Sequence, residues 1–483
     1  MKTPWHKIGP DGRPTSSEWR RALVYGLGLS GKAAATWLRR SGVEVWAIDR
    51  RGAAELQLGA LAADPHFHLL AEPAGDSLPG VALASLDGVV LSPGVAADKP
   101  VLQAARAAGL PHIAEVELAF PYLGGPLVGI TGSNGKSTTT AMTGALLEAA
   151  GLDAVTCGNI GEPLCDQLGD PLEGAPRPGR IFVAELSSFQ LEGIVSLRPI
   201  AGALLNLSPD HLDRHGSLDA YLEAKLRLFA NQQAEDVAVL NADDAGLAGV
   251  AARLPGRCRK FSRLGPVDDG CFVEGSRVIE VSPAGRRELF SLADIPVPGG
   301  HNVENAMAAA LLALHAGAPA DSLAAGLRQF RGLPHRIEKV RELAGVTWYD
   351  DSKGTNQAST LGALDGFAAG RLLLFLGGRF KGGELAPLAR EVARKARHTY
   401  LIGESAPIFA AALAAEGAAS TVAGTLARAV ELAHAAARPG DAVLLSPACA
   451  SFDQFENYHQ RGLAFQRLVR ELPERAGEGD HGP

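Results

Sequence analysis

Short apolar runs, each closed by a glycine-rich or polar turn, recur along the whole chain and alternate with segments of helical spacing. In "ALVYGLGLSGKAAATWLRRSGVEVWAIDR" an apolar strand, a glycine turn, an amphipathic helix and a second apolar strand follow one another, a βαβ unit. "LDGVVLSPGV" adds a strand that runs into the turn Ser92-Pro93-Gly94. A second segment starts near residue 115 with the strand "PLVGI", a glycine-rich loop and the helix "STTTAMTGALLEAAG", capped by Gly151. "IFVAEL", "AGALLNLS" and "VAVLN" read as its further strands, and "NVENAMAAALLALHAG" as a helix. The stretch from "GRCRKFSRLG" to "FSLADIPVPG" reads as short strands and turns, expected to be antiparallel. A third segment opens near "RGLPHRIEKV"; its strands "VTWYDD", "RLLLFLGG", "HTYLIGE" and "AVLLSP" alternate with alanine-rich helices. The pattern is three α/β units in series, with no short repeat.

Composition narrows the picture. At 483 residues about three domains are expected. The net charge of −7 gives no general pull towards nucleic acid or anionic membrane, so neither is expected as a partner. An anionic substrate would need locally placed Lys and Arg. None of Cys157, Cys165, Cys258, Cys271 and Cys449 forms a Cys-x-x-Cys pair, which argues against a zinc site or a disulfide framework and fits a reducing cytoplasm. The first residues lack the apolar core of a signal peptide. The longest apolar stretch, around "AMAAALLALHAGAPA", is shorter than the ~20 residues of a membrane span. "ERAGEGDHGP" at the end reads as a frayed tail.

Two glycine motifs carry chemistry. "GITGSNGKST", residues 129–138, sits between a strand and a helix, where unpaired backbone N–H groups and the helix dipole attract anions. Glycines let the backbone curl close to phosphate, a Lys reaches the outer phosphates and a Ser holds Mg²⁺. Gly132, Asn134, Gly135, Lys136 and Ser137 supply those parts, although Ile130 stands where the usual pattern has a glycine. Gly26-Leu27-Gly28-Leu29-Ser30-Gly31, with Asp49 at the end of the next strand, matches the dinucleotide fingerprint. Such a loop holds NAD or any other nucleotide whose pyrophosphate rests on the helix N-terminus. The second, ATP-type loop weighs against hydride transfer.

Other candidates lie after strands. Glu185 in "ELSSFQLE" is placed to reach Mg²⁺, or is an exposed loop acid. "LNLSPDHLDRHG" groups Asn206, Asp210, His211, Asp213 and His215, a metal site or a polar capping turn. Lys225, in a helix, reads as a solvated lysine. Asn302 and Asn305 are caps or readers of a base. His335, Arg336, Asp351, Lys353, Thr355, Arg379, Lys381, Ser446, Ser451 and Asp453 follow strands or open the third segment, and Cys449 reads as a small packed residue.

In that order, "GITGSNGKST", "ELSSFQLE", "LNLSPDHLDRH", "GGHNVENA", "GLPHRIE", "DDSKGTN" and "LSPACASFDQF" resemble the motifs of Mur ligases, ATP-dependent amide-forming enzymes of peptidoglycan precursor synthesis. The resemblance runs from about residue 22 to 470; "GLGLSG" and "SPACASFDQF" look like the members that add D-glutamate. It implies an α/β fold of three domains: residues 1–114, Rossmann-like and binding the UDP substrate; 115–332, a P-loop-type ATPase domain with a mainly parallel sheet; and 333–483, Rossmann-like and binding the amino acid. The substrates implied are UDP-N-acetylmuramoyl-L-alanine and D-glutamate, with ATP and two Mg²⁺ ions, in a cytoplasmic monomer.

Residue by residue, the resemblance implies UDP-substrate contacts from Leu29, Ser30, Asp49, Ser92, Pro93, Gly94, Asn159, Ser187 and His211. Lys136 would hold the outer phosphates beside Gly132, Asn134, Gly135, Ser137 and Thr138. Ser137 and Glu185 would hold one Mg²⁺; His211 and Lys225 would serve the other, the lysine being carbamylated. Lys136, Glu185, His211 and Lys225 would thus form the catalytic set. Asn302, Asn305, Arg336, Asp351 and Lys353 would contact ATP; Thr355, Lys381, Ser451, Phe452 and Tyr458 would bind D-glutamate. A missing first loop glycine is normal for the family. Arg379 stands where some relatives carry an acid, and the first ~20 residues have no counterpart that can be placed. A sibling ligase, a folylpolyglutamate-type synthase, an NAD-dependent oxidoreductase and a catalytically dead nucleotide-binding scaffold are the alternatives.

Overall fold

The computed structural model describes residues 19–96, 98–169 and 179–474, with the backbone of the hairpin His6–Ile8 and Pro14–Ser17; the side chain of Asp213 is not among the described atoms. The tail expected to fray lies, beyond Glu474, outside the described residues. The chain forms two compact units: residues 1–294 with 304–329, and residues 295–303 with 330–483.

The first unit holds two large sheets. One is parallel and five-stranded, in the order Phe67–Ala71, Glu44–Asp49, Arg21–Tyr25, Gly88–Leu91, His112–Ala114. The order reverses direction beside Arg21–Tyr25, the strand that feeds the glycine turn, and ligands of open α/β sheets bind at such switch points. The other has nine strands: Gly285–Ser291, Arg277–Ser282, Gly270–Glu274, Arg257–Ser262, Val237–Asn241, Ala201–Leu204, Leu127–Thr131, Ile181–Glu185 and Ala154–Gly158. Leu127–Thr131 and Ile181–Glu185 are buried along their whole length, as apolar runs covered on both faces require. Helix Gly300–His315 buries Ala306 to Ala313 completely.

The stretch expected to be antiparallel is mixed. Arg257–Ser262 pairs parallel with Val237–Asn241, and Gly270–Glu274 parallel with Arg257–Ser262; only the last two strands turn antiparallel. Charged residues disguise this continuation of the parallel sheet. Arg259 is buried, and the strand tolerates it because Asp269 and Glu280 pair with its guanidinium at 3.0 and 2.6 Å.

The two sheets of the first unit share a hydrophobic core, joined at helix Glu115–Ala119. Two buried carboxylates mark this joint. Glu117 accepts the backbone N–H groups of Val195, Ser196 and Leu197 at 2.9–3.0 Å, and the Ser196 hydroxyl. Glu115 accepts the N–H of Cys165 through Oε1, and among the described residues its Oε2 has no hydrogen-bond partner. Burial pushes the Glu115 carboxyl up to about 7.

The second unit carries a six-stranded sheet in the order Glu338–Leu343, Val346–Asp350, Ala442–Leu445, Leu372–Gly377, Ala396–Ile402, Ser420–Gly424, parallel except for its first strand. Leu372–Gly377 is fully buried between helices on both faces.

Candidate active site

The glycine-rich loop leaves strand Leu127–Thr131 and enters helix Lys136–Ala149. Gly135 precedes the helix with φ +82°, and a Cβ there would stand 2.4 Å from Asn305 Oδ1, so only glycine fits. The loop is held from a neighbouring strand end. Asn134 N donates to Asn206 Oδ1 (2.8 Å), Asn206 Nδ2 returns a bond to Asn134 O (3.1 Å), and Ser133 exchanges bonds with Ser208. Lys136 Nζ donates to the carbonyls of Gly132 and Ser133 at 2.8 and 2.9 Å. Ser137 and Thr138 are buried in the first helical turn. Asn305 reaches this loop and accepts the Thr139 hydroxyl at 3.1 Å.

Lys225 corrects the solvated-lysine reading. It is buried, donates to the same Gly132 carbonyl at 2.8 Å, and lies 4.2 Å from the centre of the Tyr221 ring. Burial, and then the charge of Lys136, push its amine down to about 6 despite opposing pulls from Asp210 and Glu185. The amine is therefore mostly neutral near pH 7, the form that adds carbon dioxide. Glu185 ends its strand, buried rather than an exposed loop acid. Asn159 Nδ2 fixes its Oε1 at 2.7 Å, whereas among the described residues Oε2 has no hydrogen-bond partner. A hard divalent cation suits an oriented carboxylate with one open oxygen.

The expected His/Asp cluster divides. Asn206 is spent on the loop. His215 is engaged by Ser188 (3.0 Å) and Glu192 (3.4 Å). His211 has φ +53° and a half-exposed ring packed edge-on against Phe189, with Asp210 3.6 Å away. Ser187 caps helix Ser188–Glu192 in a reciprocal bond set with Gln190.

A cleft of about 840 Å³ opens at the switch point of the five-stranded sheet. Leu29, Ser30, Asp49, Ser92, Pro93, Gly94 and Asn159 all line it. Asp49 is drawn into the scaffold: it accepts Leu27 N at 2.7 Å and the Arg51 guanidinium at 3.0 Å. Arg51 holds its carboxyl well below the usual range. Arg50, Arg51 and Lys99 also face the cleft, the local cations that an anionic ligand needs in an acidic protein.

In the second unit, Asp351 is buried, accepts the Ser446 hydroxyl at 2.7 Å, and is pushed up to about 7 by burial. Lys353 Nζ lies 5.2 Å from the Tyr458 ring centre. The Thr355 N–H bonds the Lys353 carbonyl. Asn302 Nδ2 bonds Pro298 O just before its helix. Lys381 and Phe452 are exposed, Ser451 is buried, and pairing of Arg379 with Ala450 sets their two loops side by side. Arg379 pairs with Glu404 at 3.1 Å. Cys449 is packed, as expected. His335 Nδ1, Glu338 and Asp350 form a tight cluster, but the Gln466 amide already donates to both carboxylates at 2.9 Å.

Models of three domains match in series: the Mur ligase MurD-like N-terminal domain over residues 20–114, the Mur ligase middle domain over 130–313, and the Mur ligase glutamate ligase domain over 335–449. The UDP-N-acetylmuramoylalanine–D-glutamate ligase of Myxococcus xanthus is 47% identical, aligned over 94% of this chain and 98% of its own length. The chain belongs to the Mur ligase family. The ligase of the same name from Acidobacterium capsulatum is 42% identical over 93% of this Mur ligase and 96% of its own length. Two solved structures share the fold. A pseudomurein peptide ligase type C from Methanothermus fervidus has a TM-score of 0.58 at 19% identity, covering 94% of this chain and 100% of that one. The MurF ligase of Thermotoga maritima in complex with ADP has a TM-score of 0.57 at 16% identity, covering 98% and 100%.

Sequence reasoning about this Mur ligase missed Arg50, Arg51 and Lys99 in the cleft, Asn206 as the brace of the phosphate loop, Tyr221 over Lys225, and the buried Arg461. Arg51 had a usable signal, since it follows the fingerprint acid by two residues. The others depend on which segments meet in space.

Proposed function

We propose that this protein joins D-glutamate to the L-alanyl carboxylate of UDP-N-acetylmuramoyl-L-alanine, consuming ATP, in cytoplasmic peptidoglycan precursor synthesis. One observation carries the substrate assignment: 47% identity to a ligase of that name over 98% of its length. The geometry of the first unit supports the chemistry. The working division is 1–114 for the UDP substrate, 115–332 for ATP and 333–483 for the amino acid, in a monomer.

A carboxylate does not react usefully with an amine, because oxide is a poor leaving group. One carboxylate oxygen therefore attacks the γ-phosphorus, the bond to ADP breaks, and an acyl phosphate forms. The amine of D-glutamate then attacks the carbonyl carbon, inorganic phosphate departs with that oxygen, and the amine loses a proton as the amide forms. The chain's part is placement and charge neutralisation. The first-turn N–H groups of helix Lys136–Ala149 and the Lys136 ammonium, now bonded to the Gly132 and Ser133 carbonyls, would hold the phosphates. Gly132 O, which accepts from both lysines, keeps Lys136 and Lys225 together at the loop. Glu185 with Ser137, and His211 with a carbamylated Lys225, would hold Mg²⁺. That ion, when bound, offsets the charge on the phosphate oxygens. Asn159 keeps the Glu185 carboxylate aimed. Arg50, Arg51 and Lys99 would receive the anionic UDP portion, and Lys381 with Ser451 and Thr355 one carboxylate of D-glutamate.

The test is phosphate release from ATP as a function of both acceptors, with an amino-acid panel. Release that requires UDP-N-acetylmuramoyl-L-alanine and D-glutamate together is expected, with label from the acceptor's carboxyl oxygen appearing in the phosphate. Release with another amino acid would move the assignment to a sibling ligase.

A further inference from the structure

The residue that the proposed function leaves unused is Arg461, on helix Tyr458–Glu471. It is 1% exposed, and among the described residues no carboxylate pairs with it. Its Nε donates to Ser352 Oγ at 3.0 Å, and its Nη2 donates to the carbonyls of Ser352 (2.8 Å) and Cys449 (3.1 Å). Among the described residues its Nη1 has no hydrogen-bond partner, and it lies 3.2 Å from where a Cβ of Gly378 would stand. Ser352 also donates to the Tyr458 carbonyl at 2.8 Å. One guanidinium thus touches the loop of Asp351 and Lys353 and the loop of Ser451, and abuts the loop of Lys381. The helix approaches His335 closely, since a Cβ on Gly462 would stand 2.1 Å from its Nδ1. His335 is fixed in turn by Asp350 at 2.6 Å. Burial holds the guanidinium down to about 10, well above any working pH, so a full charge is retained, with Asp453, Asp350 and Asp351 acting on it only beyond ion-pair distance. Folds rarely keep such a charge where an apolar side chain would serve.

We propose that Arg461 is a positioning residue that locks the loop carrying Asp351 and Lys353 to the loops carrying Ser451 and Lys381, so that nucleotide and amino acid are bound by one rigid framework. The inference rests on the ligase reading above. Arg461→Met in the full chain tests it, with steady-state kinetics for all three substrates and hydrogen exchange of residues 350–355 and 448–452 without ligands. The expected result is a rise of about tenfold in KM for both ATP and D-glutamate, the loss of a charge-assisted bond set, with KM for the UDP substrate unchanged. Exchange should accelerate in both loops. Guanidinium ion added to Arg461→Ala should recover part of the loss.

An equal fall in kcat with all three KM values unchanged would mean a smaller folded fraction and would overturn the proposal, as would acceleration in only one loop. If Arg461→Met does not fold, Arg461→Lys keeps the charge, reaches fewer acceptors and carries the same test. If the wild type itself releases no phosphate with D-glutamate, the ligase reading fails. Exchange alone then decides: joint acceleration upholds the lock, and anything less removes it.

Discussion

Glu115 makes the joint of the first unit sensitive to pH, and the effect has a calculable size. Its carboxyl is buried with one oxygen unpartnered and is pushed from an ordinary value of 4.5 up to about 7. Below pH 4.5 both the folded and the unfolded chain carry the proton. Between 4.5 and about 7 the unfolded chain releases it while the folded chain keeps it, so stability falls as pH rises across that window and then levels off. At 1.36 kcal/mol per pH unit the full loss is about 3 kcal/mol, of which about 2 kcal/mol falls between pH 5.5 and 8. Glu115→Gln imitates the protonated acid and cannot ionise. Relative to wild type, the variant should therefore gain about 2 kcal/mol on going from pH 5.5 to pH 8. Urea-dependent hydrogen exchange of peptides covering residues 115–122 measures this local stability. Any fixed cost of the amide cancels in the difference between the two pH values, as do titrating groups that do not interact with Glu115. A difference of zero, or a variant that loses ground at pH 8, would refute the reasoning.

Three further outcomes are expected. Lys136→Ala should lower kcat by about 10²–10³-fold, the usual cost of one preorganised charge-stabilising donor, in a phosphate-release assay; near-wild-type turnover would contradict its role at the phosphates. Isotope-labelled bicarbonate should give a carbamate signal by NMR at pH 8 that fades as pH drops through about 6, where the Lys225 amine becomes charged, and Lys225→Met should lack it. Leu374→Ala, at a fully buried position in the central strand of the second unit, should cost about 2–5 kcal/mol, read as a lower urea midpoint for peptides of residues 338–445.

How far the sequence was legible depends on how local each signal is. Strand, loop and helix around Lys136 are written in adjacent residues, and they appear where the pattern put them. Apolar runs such as "LLLFLG" announce buried parallel strands. Lys225 was misread because its helix looks ordinary, and only the meeting of that helix with Gly132 and Tyr221 removes water from the amine. The stretch from Arg257 was expected to be antiparallel because its short strands and turns resemble hairpins, whereas Arg257–Ser262 continues the parallel sheet, with Asp269 and Glu280 pairing the buried Arg259. Arg461 looks like a surface helix arginine for the same reason. Cations become informative only once the groups that desolvate or pair them are known.

The stretch Ile295–Val303 belongs with the second unit although it precedes the end of the first. Its neighbours there include Gly332, Gly362 and Gly366, all made later. During synthesis, the alanine-rich part of helix Gly300–His315 has its sheet waiting as soon as it leaves the ribosome, but the helix's leading turn does not. Domains emerge and fold in order from the N-terminus, so this short stretch must stay uncommitted until the chain beyond residue 330 arrives. A nascent chain that ends before that point would leave this stretch without the neighbours it packs against in the finished protein.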